Sequence, residues 1–551
     1  MSFKINKEQQ LTLNDRFLQL DERTKKFVLD SWAKGFAEII FPAINEERFS
    51  VLYSENKGSR PNSPVNAIVG ALILKELLHL TDEELLASIM CDIRFQYALH
   101  TTSFKDQPFS DRTFSRFRER LYLYTQETGI DLLQEEMESL AEAFMKYLNI
   151  EPTMKRMDSV MVASNCKKMT RLEILYTCTA NMIKVIAQRD KTAVSEDLAH
   201  YLEAEDLNRM IYHRKGEDIT ERLQQVIDDA GSLIVEAGDD LFDLPEYQLL
   251  RRVLNEQTEQ DDSGKAIPKD KKFISPDSLQ NPSDPDATFR RKAGKNHKGY
   301  VGNFVETFDK KGAIITDYDY DCNSHSDSQF CKETISKLGR QDEKTTLLAD
   351  GAYAGTENHE QASKNNIELV TTALIGKTPN PVQGEFIINA DGHEVTQCPA
   401  GNKPYKSRYY EKSAMYRASF NKKTCEQCPL SDQCGVKFQK KSAFVMISEK
   451  MVQRASYLKK LSTEEYRSLS QKRNGVEGIP SVLRRRYHVD HIPVRGLVRT
   501  KIWFGFKIMA INAKRVLKRA SDLLQNPDFN QVVQCFCLKH RQYGNVLSLV
   551  A

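Results

Sequence analysis

The strongest constraint on the fold is a strand-type segment that a long helical block separates from the strands that follow. Residues 154–165, MKRMDSVMVASN, are rich in Val and Met and lack helical periodicity, which is typical of a strand buried on both faces. Residues 168–262 are helical and acidic, and KAIPKDKKFISPDSLQNPSDPD then has the composition of a linker. Strand-type sequence resumes directly afterwards, so we interpret the helical block as an insertion into one sheet.

The resuming segment, KGYVGNFVETFDKKGAIITDYDYD, has two alternating runs separated by residues 309–312, which predicts a hairpin. TTLLADGAY follows as a strand ending in a polar turn, then a short helix from about Thr356, then the strand IELVTTAL. This order predicts a mixed α/β sheet. Residues 386–440 are expected to be irregular, and residues 462–520 helical.

The first 150 residues are predicted to be helical, because apolar positions recur at intervals of three and four. Thr81 and Glu84 have capping-box spacing, and Ser110 is predicted to begin SDRTFSRFRERL in the same manner. The last helix of this region is basic and aromatic. Two interpretations remain open, a helix-turn-helix-like contact with DNA and a plain helical packing domain.

Charge is distributed unevenly, although the formal net charge of 551 residues is only +3. Residues 441–551 contain 21 Lys and Arg against 7 Asp and Glu, whereas residues 171–262 contain 10 against 21. This asymmetry indicates a polyanion-binding C-terminal region and a solvated acidic module. The alternative for the C-terminal region is a basic face that is simply solvated.

No apolar run approaches the roughly 18 residues of a membrane span, and the first residues form no apolar signal core. We therefore expect a cytoplasmic protein without a membrane partner. Its eleven cysteines are then reduced thiols or metal ligands. Four of them, Cys398, Cys425, Cys428 and Cys434, fall within one polar segment and predict a structural Zn²⁺ site. The alternative is four unrelated reduced cysteines.

Three acids are candidate ligands of a harder cation. Asp158 lies inside an apolar strand, where an uncompensated carboxylate is costly, and Asp350 ends the strand TTLLAD. Glu477 lies among bases, with Arg473 before it and Arg484 after it. Carboxylates suit Mg²⁺, and paired Mg²⁺ ions assist phosphodiester cleavage. The alternative is that these are ordinary surface acids.

Several segments, in this order, resemble those of bacterial insertion-sequence transposases of the DDE class, specifically those with a helical N-terminal region and a zinc-binding insertion. The segments are MDSVMVASN, DPDATFRRKAGKNHKGYVGNFVET, LADGAYAGTENHE and RNGVEGIPSVLRRRYHVDHIPVRGL. The resemblance implies an RNase H-like core in which Asp158, Asp350 and Glu477 bind two Mg²⁺, which Mn²⁺ can replace. It also implies that the cysteine cluster binds Zn²⁺.

The resemblance and the charge pattern together imply the following organisation. A helical DNA-binding domain (1–150) precedes the first core strand (151–167), an acidic all-α insertion (168–283) and the continued core (284–385). A Cys₄ zinc insertion (386–440), basic core helices (441–520) and a tail (521–551) follow. The fold class expected is therefore α/β, with an RNase H-like mixed sheet, two insertions and an all-α N-terminal domain.

The implied activity is Mg²⁺-dependent cleavage of element ends and their joining to target DNA, by a homodimer that is nucleoid-associated when bound to DNA. The expected DNA contacts are Arg473, Arg484, Arg485, Arg495 and Arg499. Ser470, Ala352 and Pro480 depart from the family pattern and motivate an alternative, a catalytically inactive or domesticated DNA-binding derivative. A metal-dependent nuclease that cuts without joining is a third reading.

Overall fold

The computed structural model of the chain describes residues 1–6, 15–56, 58–212, 218–236, 238–292, 294–373, 378–389 and 391–524. Most of the expected tail, residues 525–551, lies outside the described residues. None of the described helices is both long and apolar enough to span a bilayer.

The first region is helical, as its periodicity predicts. Its α-helices are α1 (Glu22–Leu29), α2 (Trp32–Gly35), α3 (Val65–Leu78), α4 (Asp82–Cys91), α5 (Ile93–Ala98), α6 (Thr113–Thr128) and α7 (Leu132–Leu148). Thr81 and Glu84 form the predicted capping box of α4. The expectation for Ser110 was wrong, because α6 begins at Thr113 and the Thr113 hydroxyl accepts the Ser110 backbone N–H at 2.8 Å.

The first core strand, β1 (Met154–Ala163), leads into the predicted helical insertion. Its elements are α8 (Arg171–Arg189), α9 (Asp206–Ile211), α10 (Ile219–Glu236), α11 (Pro245–Gln257), β2 (Thr258–Gln260) and β3 (Ala266–Pro268). The insertion has its own hydrophobic core, which includes Leu175, Val226 and Leu250. The expected linker is not free of this core, because Leu279 is fully buried in it.

The central sheet has six strands and is mixed, as predicted. Its remaining elements are β4 (Thr288–Lys292), β5 (Lys295–Phe308), β6 (Ala313–Cys322), α12 (Asp327–Leu338), β7 (Thr345–Ala349), α13 (Thr356–Lys364) and β8 (Ile367–Thr371). The hydrogen-bonded order is β4-β5-β1-β7-β8, and β6 pairs with β5 as the predicted hairpin. β1 is antiparallel to β5 and parallel to β7.

The cysteine segment is more regular than expected. Its elements are β9 (Ile387–Ile388), β10 (Val395–Gln397), β11 (Lys406–Tyr410), β12 (Met415–Asn421), α14 (Lys422–Glu426), α15 (Ser431–Cys434), β13 (Lys437–Phe438) and β14 (Ser442–Ser448). Strands β11-β12-β14-β13 form a four-stranded antiparallel sheet with its own core. This sheet extends past the expected boundary at 440, because β14 pairs with β12.

The C-terminal part is helical, with α16 (Glu449–Leu461), α17 (Glu464–Arg473), α18 (Gly478–Arg485) and α19 (Leu497–Leu524). A 3-10 turn at Asn474–Glu477 separates α17 from α18, and Pro480 lies in the first turn of α18. There the missing proline N–H breaks no helical hydrogen bond.

Both faces of the central sheet are covered, as predicted for β1. One face packs against the N-terminal helices and α19 in a single core, to which β1 contributes Val160 and Val162. Helices α12 and α13 cover the other face, where Met157 is fully buried. The N-terminal helices therefore share a hydrophobic core with the sheet.

Candidate active site

Asp158 lies in the middle of β1, opposite Phe304 of β5. Its Oδ1 accepts the backbone N–H of Ser159 at 2.9 Å. Burial raises the pKa of Asp158, whereas the Arg473 guanidinium and the Ser159 N–H act in the opposite direction. A carboxylate here is therefore costly to ionise without a cation beside it.

Asp350 directly follows β7, the parallel neighbour of β1. The pairing of Lys155 with Leu347 and of Arg156 with Leu348, continued by two residues, brings Asp350 level with Asp158. The Asp350 side chain also accepts the backbone N–H of Ala352 at 2.6 Å and so caps the following 3-10 turn. Strand register and turn geometry together fix this carboxylate beside Asp158.

Glu477 ends the 3-10 turn between α17 and α18, and Arg473 ends α17. Glu477 Oε1 accepts from Nη1 of Arg473 at 2.5 Å. Nη2 of the same guanidinium lies 3.5 Å from Oδ1 of Asp158 and 4.0 Å from Oδ2 of Asp350. One guanidinium therefore contacts all three predicted acids, which we call the acidic triad.

The placement of Arg473 differs from that expected of a DNA contact, because its side chain is only 9% exposed. Its Nε is buried and has no hydrogen-bond partner among the described residues. An unpaired buried donor is unfavourable, so the acids do not satisfy this arginine completely. Three carboxylates around one guanidinium group leave two negative charges that Arg473 does not neutralise. We interpret the guanidinium group as occupying the position of a cation.

A second arginine fixes the turn that carries Glu477. Arg156 lies two residues before Asp158 on β1, and its Nη1 donates to the carbonyl oxygen of Lys472 at 2.7 Å. Its Nε donates to the fully buried Glu306, and its guanidinium lies 4.3 Å from the centre of the Phe308 ring. Arg515 of α19 approaches the other oxygen of Glu306 at 2.7 Å. We call Arg156, Glu306 and Arg515 the Glu306 cluster.

Gly475 packs directly against Arg156, and a Cβ at this position would overlap the guanidinium. An alanine at position 475 would therefore force the Arg156 guanidinium to move. Sequence reasoning missed Arg156 and Gly475. The available signal was the spacing of Arg156 and Asp158, because residues two apart on a strand point to the same face.

The remaining expected DNA contacts fall into two groups. Arg484, Arg485 and Arg495 are exposed, and Nη2 of Arg484 donates to the carbonyl oxygen of Met161 on β1 at 3.3 Å. Arg499 instead makes two bonds to Glu119 of α6, at 2.6 and 3.1 Å, and lies over the ring of Tyr122. Arg499 thus links α19 to the N-terminal helices.

The four predicted zinc ligands line one small cavity of about 20 Å³ beside the core of the four-stranded sheet. Cys398 follows β10, Cys425 lies in α14, Cys428 follows that helix, and Cys434 ends α15. Burial and the neighbouring cysteines raise the pKa of Cys425 and Cys434. Cysteine sulfurs are donors of the kind that Zn²⁺ accepts, and a cation here would favour their thiolate forms.

Neither the acidic triad nor the cluster of four cysteines is arranged to hold a metal ion in the described structure. In the described ranges, no group of three or more His, Cys, Asp or Glu side chains is arranged so that it could hold a metal ion. Binding of a cation would therefore require side-chain adjustment at the cysteines and displacement of Arg473 from the acidic triad.

Comparison with protein families gives two matches. Residues 397–517 match the model described as Transposase DDE domain, and residues 27–120 match Transposase domain (DUF772). The first segment contains Glu477 and the four clustered cysteines, whereas Asp158 and Asp350 lie in neither segment. No curated protein and no solved structure matches the chain. The two family matches support a DDE-type transposase.

Proposed function

We propose that the protein binds the ends of an insertion element, cleaves them and joins them to target DNA, using an RNase H-like core. The observation that carries this proposal is the convergence of Asp158, Asp350 and Glu477 on one guanidinium. Three carboxylates from separate elements carry more negative charge than Arg473 neutralises. Such a site attracts divalent cations and phosphate chemistry.

The carboxylate oxygens of the acidic triad would hold two Mg²⁺ ions, with Mn²⁺ as a substitute. Mg²⁺ bound there would supply charge neutralisation and nucleophile activation for phosphodiester chemistry. The chain itself fixes Asp158 by strand pairing, Asp350 by its cap and Glu477 through Arg156. Once displaced from the acids, Arg473 is free to contact a DNA phosphate, as Arg484, Arg485 and Arg495 are from the surface.

The substrate is double-stranded DNA, both element ends and target, and pairing of two ends implies a homodimer during the reaction. The test is a cleavage and joining assay on the DNA that flanks this reading frame, in Mg²⁺ and in Mn²⁺, with Asp158→Ala beside the parent. We expect the parent to cut and join, and the variant to bind without doing either. Binding without cleavage by the parent in both metals would overturn the proposal.

The alternative, a DNA-binding derivative without catalysis, is favoured by one observation. Arg473 fills the centre of the acidic triad, where a salt bridge to each acid opposes metal entry. The same assay separates the two functions, because both predict binding and only the transposase predicts joined product. A cut but unjoined product would indicate a nuclease.

We also propose that Cys398, Cys425, Cys428 and Cys434 bind one structural Zn²⁺. Elemental analysis of protein purified without added metal tests this, with Cys425→Ser and, as control, Cys91→Ser, which alters an exposed cysteine outside the cluster. We expect bound zinc in the parent and the control, and its loss together with a lower Tm in Cys425→Ser. A parent without zinc would contradict the site.

A further inference from the structure

An unassigned basic surface lies beside the acidic triad on β4 and the first residues of β5. The stretch from Ala287 to Val305 contains five Lys or Arg residues and no acid. β4 pairs with residues 295–299 of β5, whereas β1 and β6 pair with β5 only from residues 299 and 300 onward. Residues 288–292 and 295–299 therefore extend from the central sheet as a two-stranded ribbon, which we call the basic ribbon.

One face of the basic ribbon concentrates the charge. Arg290 is directly opposite His297, and Lys292 is directly opposite Lys295. Directly paired residues project to the same face, and residues two apart on a strand share that face, so these four side chains form one surface. Like charges paired across strands destabilise a ribbon. An anion bound to this face would offset the repulsion between Lys292 and Lys295.

This charged face lies near the acidic triad, because Lys292 is one of the charged neighbours of Asp158. Arg290 and Lys292 approach Oδ2 of the buried Asp327 at 2.9 and 3.4 Å. Oδ1 of Asp327 accepts from the hydroxyl of Ser159, the residue after Asp158, at 3.0 Å. The only acid that pairs with this face in the described residues is thus Asp327, which leaves Lys295 without a carboxylate partner there.

The charged face also meets the exposed arginines of α18. His297 has Arg484, Lys295 and Lys292 as charged neighbours and Asp490 as its acidic neighbour, and burial with these cations lowers its pKa. Lys298 and the exposed Lys168 are likewise near each other. Arg484 of α18 therefore adds a cation next to the charged face, whereas Lys298 and Lys168 form a separate basic pair on the other face of the ribbon.

We propose that the charged face of the basic ribbon binds the phosphate backbone of the duplex that enters the acidic triad. The major groove admits a two-stranded ribbon, and lysine contacts to phosphates supply affinity that is independent of sequence. The inference rests on the proposed function for the identity of the duplex. Binding itself requires neither metal nor cleavage.

The test measures binding of a short duplex of arbitrary sequence, without divalent metal, over a series of salt concentrations. Lys292→Gln/Lys295→Gln should weaken binding by about tenfold and lower the slope of log K against log salt by about 2, since each lost phosphate contact removes about 0.9. The matched control is Lys184→Gln/Lys191→Gln, which removes two exposed lysines of the insertion. This control should retain the parent slope.

Two further variants separate local binding from general charge and from misfolding. Arg291→Gln removes an exposed cation on the opposite face of the ribbon and should leave the slope near that of the parent. Lys295→Gln removes a like-charge pair, so its Tm should equal or exceed that of the parent while its binding weakens. A parent-like salt slope in the double lysine variant would overturn the inference.

Failure of the inference is distinguishable from failure of the proposed function. If the parent cuts DNA and the double lysine variant binds like the parent, the ribbon assignment is wrong and the transposase proposal stands. If the parent never cuts but the double variant loses binding and slope, the ribbon assignment stands and the catalytic proposal is wrong.

Discussion

The acidic triad and the Glu306 cluster use the same charged groups in opposite proportions. The triad places three carboxylates around one guanidinium group, whereas the Glu306 cluster places one carboxylate between two guanidinium groups. Side-chain exposure in the triad rises from 14% at Asp158 to 32% at Asp350 and 57% at Glu477, whereas Glu306 is fully buried.

This difference shows how adjacent ion clusters can serve separate purposes. An open cluster with surplus negative charge can exchange its internal cation for one from solution. A closed cluster whose arginines outnumber its acid cannot do so, and its loss would leave charges buried without partners. Arg156 joins the two clusters, because one guanidinium binds Glu306 and the backbone next to Arg473.

The largest expected effect is a loss of DNA cleavage without loss of stability, on substitution of Asp350 in the acidic triad. Asp350→Asn keeps the cap, because asparagine caps a turn as well as aspartate does. We expect DNA cleavage to fall by at least about a thousandfold, since metal contacts contribute several kcal/mol and each 1.4 kcal/mol or so is tenfold.

The Tm of Asp350→Asn should match that of the parent. Asp190→Asn is the control, because Asp190 caps a 3-10 turn of the insertion in the same way. Cleavage by Asp350→Asn near the parent rate would contradict the assignment of Asp350 as a ligand.

In the Glu306 cluster we expect a substitution to lower stability, which the Asp350 substitution should leave unchanged. Glu306→Gln leaves the partly buried Arg156 and Arg515 beside a neutral amide at a fully buried position, so the free energy of unfolding should fall by about 3–5 kcal/mol. Denaturant unfolding measures this change. Glu135→Gln, at the exposed partner of Arg48, should cost less than about 1 kcal/mol. Equal losses in the two variants would remove the distinction between closed and open clusters.

The sequence predicted β1, which carries Asp158 of the acidic triad and Arg156 of the Glu306 cluster. It did not predict how β1 pairs with β7. Turn composition predicted the β5–β6 hairpin, and the apolar run around Asp158 predicted that this residue lies on a strand of the sheet. Asp350 could be predicted at a strand end, but not its alignment with Asp158, because register depends on tertiary pairing.

Arg473 illustrates what sequence could not decide. Its position near Glu477 fits both a phosphate contact and an internal ion pair, and only the packing of α17 against β7 and β8 places it among the acids. The four-stranded sheet was missed for a related reason. The polar, cysteine-bearing segment as a whole suggested irregular structure, although β12 and β14 alternate between buried and more exposed residues. That alternation was the available signal, whereas the pairing across residues 406–448 depends on tertiary contacts.

Alanine substitutions at Gly475 and, as control, at Gly478 test the contact between the acidic triad and the Glu306 cluster. Gly475→Ala forces a Cβ into the Arg156 guanidinium, which should displace the Glu477 turn and cost about 1–3 kcal/mol of unfolding free energy. Cleavage should fall by up to about a hundredfold, because displacement of a catalytic group by about 1 Å has that effect.

Gly478→Ala is the matched control, because no atom lies within 4 Å of a Cβ there and the backbone is already helical. It should retain cleavage and gain about 0.4–1 kcal/mol in stability. Equal behaviour of the two alanine variants would mean that the turn does not depend on Arg156.

The smallest effect is expected from Arg156→Lys, which keeps the charge beside Glu306 but lacks the planar fork that also reaches the Lys472 carbonyl. We expect cleavage to fall by about tenfold and the Mg²⁺ concentration for half-maximal cleavage to rise, because the Glu477 turn is held less firmly. Arg417→Lys alters a stacked arginine over Phe444, remote from the triad in sequence, and should change neither quantity. If Arg156 were purely structural, Arg156→Lys would lower Tm without changing the Mg²⁺ concentration for half-maximal cleavage. A change in that concentration would show that the Glu306 cluster positions the acidic triad.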